Sequence, residues 1–203
     1  VSKLRELMEQ GTAHEDASDI AEKGHGRGEA DGLIEAFDRL GQDIPPFNDA
    51  VARVVTGIDD ISAFAHEHPV PSQGSATSYL AWSQTFGEGV GKGTKTLREG
   101  LKELTRYWGD VHDALNHCLA VLISSSDADQ RREGLRTMEH LAYSIRQSTI
   151  LSPSARDLLP MARMLQAASP RPAPLAWIIE EAIGTFGAIE SSCNSLLDRI
   201  RSV

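Results

Sequence analysis

An all-α fold is what this sequence predicts: an elongated antiparallel bundle of five to seven helices, several of them long. Three observations carry that expectation. Apolar residues recur at spacings of three and four almost from end to end, the period of one helix face. No segment alternates with period two over the length of a strand. The nearest candidate, "CLAVLISSSD" at 118–127, keeps its Cys, Leu and Ala in register with the helix before it. Between the periodic runs stand clusters of Gly, Pro and Ser, which punctuate helices and set turns. The chain has 203 residues, 40% of them hydrophobic, enough for a sizeable core in one domain over 1–203. Its first residue is Val rather than Met, so a piece of a longer chain is expected.

The elements follow in order. "TAHE", Thr12 to Glu15, has the spacing of a capping box, in which the Thr hydroxyl and the Glu carboxylate satisfy each other's orphan backbone donors. The helix it opens carries Ala13, Ala17, Ile20, Leu33, Ile34, Phe37 and Leu40, and closes at Gly41. "DIPPFND", 43–49, then breaks the chain, with Pro45 and Pro46 at a helix entry, where a missing N–H costs nothing. Phe47, Val51, Val54, Ile58, Ile61 and Ala65 form the next stripe, which stops at "HPVPSQGS". From Tyr79 a longer stripe runs through Trp82, Phe86, Val90, Leu97, Leu101, Leu104, Trp108, Val111, Leu115, Cys118 and Leu122. "SSSDAD" ends it and caps a helix carrying Leu135, Met138, Leu141, Ala142 and Ile145. "SPSARD" opens a shorter helix, with a kink expected at Pro160. After "SPRPAP" a last helix carries Leu175, Ile179, Ile183, Phe186, Ile189, Cys193, Leu196 and Ile200.

"FGEGVGKGTKTLREG", 86–100, has the glycines and the Gly-Lys of a phosphate-binding loop. Such a loop needs a glycine five residues before the Gly-Lys pair, a Ser or Thr directly after it, and a strand upstream. Phe86 occupies the first position, Gly93 follows Lys92, and "SATSYLAWSQT" does not read as a strand. No nucleotide site is expected. Gly89 and Gly93 instead lie four apart on the apolar stripe, and Gly24, Gly28 and Gly32 repeat that step in "KGHGRGEADG". Two readings of these glycines stand side by side. Small residues at this spacing let a second helix approach closely, or both stretches are loops that split long helices.

Chemistry is sparse elsewhere. Cys118 and Cys193 both fall on apolar stripes, without CxxC spacing, and read as core thiols. His66 and His68 in "HEH" sit where a helix ends, a position that favours cationic groups. His112 and His117 are five apart, which is wrong for one metal on one helix face. No catalytic, cofactor-binding or metal-ligating set emerges. Trp177 stands apart from all of these. It lies off the main stripe of the last helix, directly after a proline-rich stretch, and is the candidate contact point for a partner.

The formal net charge is −9, from 29 acidic and 20 basic residues, with no basic run. That balance speaks against nucleic acid and against anionic lipid. The expected function is therefore association: a scaffold, adaptor or oligomerisation domain, soluble and cytoplasmic, without catalysis or cofactor, whose partner is a protein or a second copy. Two alternatives accompany it. One is membrane action, since the chain resembles helical pore-forming or cell-death executioner domains in outline. The other is a HEPN-like ribonuclease, because Arg106 and His112 in "RYWGDVH" match the Arg-to-His spacing of those helical enzymes.

Overall fold

Among the described residues, the apolar stripes become helices whose inward faces are the predicted ones. The structure, a computed structural model, describes residues 27–72, 74–150, 153–168 and 175–203. Among these stand six helices and no strand: α1 (Arg27–Glu67), α2 (Ala76–Gly89), α3 (Gly91–Ser124), α4 (Ala128–Ser148), α5 (Pro153–Ala168) and α6 (Leu175–Arg201). The fold is all-α, with helices packed against one another. The "TAHE" capping box and the "SPRPAP" segment lie outside the described residues.

One expected break is absent. α1 runs 41 residues without interruption through Gly41, Pro45 and Pro46. A proline inside a helix removes a hydrogen bond and crowds the preceding turn, at about 3 kcal/mol or more. Here the apolar phase never slips. Leu33, Ala36, Leu40, Ile44, Phe47, Val51, Val54, Ile58, Ile61 and Ala65 are all buried, at spacings of three and four across the prolines. Burying one such large side chain contributes roughly 1.5–3 kcal/mol. Ile44 and Phe47, which flank the prolines, therefore outweigh the backbone cost only because both faces of the break stay in register.

The glycine–lysine stretch is helical too. α2 ends at Gly89, Val90 stands between with φ −84° and ψ 0°, and α3 begins at Gly91. The ladder of hydrogen bonds continues through this point: the Val90 N–H donates to the Phe86 carbonyl at 3.0 Å and the Thr94 N–H to the Val90 carbonyl at 2.9 Å. α4 opens as its sequence suggested. Asp127 takes an extended backbone, and its carboxylate accepts from the N–H groups of Asp129 (2.9 Å) and Gln130 (3.0 Å).

The described residues fall into two compact units, to both of which α1, α3 and α6 contribute. The first contains 27–49, 105–149 and 189–203. Its core includes Leu40, Phe47, Leu115, Leu119, Leu122, Met138, Ile145 and Ile189, and Phe47 meets Trp108 with ring centroids 5.8 Å apart. Within it α4 and α6 run antiparallel, since Arg146 donates to Asn194 and Arg201 to Glu139. The second contains 50–104 and 150–188. Its core includes Val54, Ile61, Phe86, Leu97, Leu104, Leu165, Ile178 and Ile179, and α2 packs against α5.

Candidate functional site

In the second unit, the first half of α3 and the second half of α1 approach to backbone contact. A Cβ placed on Gly57 would lie 2.6 Å from the Leu97 nitrogen and 2.8 Å from its Cα. One placed on Gly100 would lie 2.9 Å from the Val54 nitrogen. At Gly93 the neighbours are Ile61 Cγ1 at 2.8 Å and the Gly57 carbonyl oxygen at 3.2 Å. The paired positions fall on one helix as they rise on the other, so these segments are antiparallel. Three glycines, Gly57, Gly93 and Gly100, remove the side chains that would hold the two backbones apart. Gly89 belongs to the same seam from α2, where an added Cβ would strike the Phe64 ring. Phe64 is in turn stacked on His68, with centroids 4.0 Å apart, and edge-on to Phe86 at 5.6 Å.

The other glycine ridge differs. Gly24 lies outside the described residues, and Gly28 is in the first turns of α1. At Gly32 no close approach exists: nothing stands within 4 Å of where a Cβ would be. A step of four aligns residues on a helix face but does not say which way that face points. Gly57 and Gly100 were not among the expected packing positions. The signal was present in the pairing of Gly93 with Gly100, seven apart on one face, but Gly57 has no other glycine within two turns of it on α1 to announce it.

Trp177, in the second unit, is 60% exposed on the first turn of α6 while Leu175, Ala176, Ile178 and Ile179 around it are buried. One turn later Glu180 binds Arg163 of α5, with Oε1 2.6 Å from Nη2 and 3.1 Å from Nε. That pair, two guanidinium nitrogens on one carboxylate oxygen, links α5 to α6 one turn from the indole.

Arg106 and His112 do not form a pair. The Arg106 guanidinium lies over the ring of its neighbour Tyr107, 5.5 Å from the centroid. His112 turns toward Asn116, whose amide nitrogen is 3.2 Å from Nε2, and toward a cleft on α6. His68 closes α1. Its backbone N–H donates to the Phe64 carbonyl at 3.0 Å, its Nδ1 lies 3.1 Å from the same oxygen, and its own carbonyl accepts from Trp82 Nε1 at 3.1 Å. Both cysteines are free and buried. Burial pushes the Cys118 thiol up to about 12, partly offset by a backbone hydrogen bond. Burial likewise raises Cys193 to about 11, with Arg146 opposing and Glu190 adding to the rise. Neither thiol has the electropositive, accessible setting of a nucleophile. No helix among the described residues is long and apolar enough to cross a membrane. Against known protein families, curated proteins and solved structures, the chain finds no match.

Proposed function

We propose that this chain is a non-catalytic association domain, a scaffold or adaptor that binds a protein partner or a second copy of itself. The exposure of Trp177 carries the reading. An indole left 60% open on a helix held by the Arg163–Glu180 pair presents a large apolar surface at little further entropic cost. Tryptophan is also the residue type most enriched among the anchors of interfaces. The acidic balance of the chain, −9 overall, favours a partner surface with basic groups around an apolar pocket. The long helices supply the rigid support, and the glycine seam locks two of them together.

The test is light scattering after gel filtration over a range of concentrations, paired with affinity capture from cells. The wild-type chain should self-associate or retain a partner, and Trp177→Glu should lose either. A chain that stays monomeric, and whose captured proteins are the same with and without Trp177, refutes the proposal.

A further inference from the structure

In the first unit, α3 and α6 enclose a small polar cleft of about 190 Å³. Drug-sized ligands occupy pockets of roughly 300–1,000 Å³, so this one suits only a small group. Its chemistry is one-sided. Ser191, Ser192, Ser195 and Arg199 line it from α6, His112 and Asn116 from α3, and no carboxylate lines it. That is unexpected in a chain with a net charge of −9. Ser191, Ser195 and Arg199 step by four along one ridge, so their side chains emerge on the same helix face.

The state of these groups narrows the ligand. Arg53, Arg132, Arg163 and Arg201 each face a carboxylate. Arg199 instead donates from Nη1 to the neutral Oδ1 of Asn116 at 2.6 Å. Its charge is held in place without being neutralised, and the remaining N–H groups of a five-donor fork stay available. The Asn116 amide is fixed from the other side by the His112 carbonyl, to which Nδ2 donates at 2.8 Å. The three serine hydroxyls have no hydrogen-bond partner among the described residues. One carboxylate group nearby, Asp113, lies 3.9 Å from His112 Nδ1 and outside the lining.

We infer that this cleft binds a phosphoryl group, on a soluble phosphomonoester or on a lipid headgroup, with Arg199 as the charge partner and the serines as oxygen donors. A carboxylate offers two oxygens in one plane, and a single guanidinium fork satisfies it. Here hydroxyls and a guanidinium approach from α6 while α3 closes the other side, which matches a tetrahedral oxyanion. The site is independent of Trp177, which belongs to the second unit.

The experiment follows amide signals of the isotope-labelled 203-residue chain by NMR. Sodium phosphate is added against sodium chloride at matched ionic strength. In parallel, phosphatidylcholine vesicles with and without phosphatidic acid are tested by co-sedimentation. Phosphate should shift Ser191, Ser195 and Arg199 along saturable curves, and Arg199→Gln should weaken binding about tenfold or more, the scale of one charge-assisted hydrogen bond. Ser195→Ala, at an exposed position, should weaken it too while leaving the fold untouched. Binding seen only on phosphatidic acid vesicles, and lost in both variants, assigns the same site to a lipid phosphate. No binding in either arm, or binding indifferent to both substitutions, overturns the inference.

Discussion

At the scale of single residues, glycines with the same propensity have opposite consequences. Gly32 and Gly57 are both inside α1, but one faces open space and the other faces the backbone of Leu97. Alanine at Gly32 should stabilise by up to about 1 kcal/mol, because it lowers the entropy lost on folding and meets nothing. Alanine at Gly57 should destabilise by about 1–3 kcal/mol, since the atoms it strikes are main-chain and cannot rotate away. Thermal melts of the two variants give the sign directly, and equal shifts would remove the close crossing from the description. Asp127 is a second residue-scale case. Its carboxylate satisfies two N–H groups at the start of α4, so Asp127→Ala should cost about 0.5–2 kcal/mol in denaturant titration.

Pro45 tests the element. If the chain broke at "DIPPFND", Pro45 would stand near a helix entry and alanine there would bring no gain. In the continuous α1 it stands mid-helix, exposed, with its ring against the turn that begins at Gly41. Pro45→Ala then restores an N–H to the ladder without removing core packing. The expected outcome is a higher melting temperature, with a gain bounded by the roughly 3 kcal/mol cost of an interior proline and reduced by the greater freedom of the unfolded chain. A lower melting temperature would place the break where the sequence alone had put it. The glycine seam is the companion case. Leucine at Gly93 must displace Ile61 and press on the Gly57 carbonyl, so this substitution should be more harmful than alanine at the same position.

For the whole molecule, the two buried thiols link stability to pH. Cys118 is raised from an ordinary 9.0 to about 12 and Cys193 from 9.0 to about 11, in both cases chiefly by burial. Below pH 9 the folded and unfolded chains both keep these protons, and the full contribution is present. Above it the unfolded chain releases them first, so unfolding becomes easier, and the contribution is lost as pH rises through the folded values. Denaturant midpoints should therefore fall between pH 9 and 12, and more steeply than in a Cys118→Ala/Cys193→Ala variant. Alkylation should give the same answer kinetically. Iodoacetamide at neutral pH should modify neither thiol until denaturant opens the fold, whereas rapid labelling of the native chain would contradict their burial.

The sequence determined the helical class, the faces that turn inward and the cap at Asp127, because each rests on contacts within a few residues along the chain. It also placed both cysteines in the core and Trp177 off the buried stripe of α6. Tertiary structure alone decided the rest. Whether Pro45 and Pro46 end a helix depends on whether Ile44 and Phe47 can be buried together, which is a property of the elements packed around them. Whether a glycine marks a close crossing depends on what stands opposite, as Gly57 and Gly32 show. The cleft at Arg199 depends on Asn116, 83 positions away, reaching the same place in space. No spacing along one helix encodes that meeting, since a periodic pattern records which side of an element is apolar but not which neighbour that element will meet.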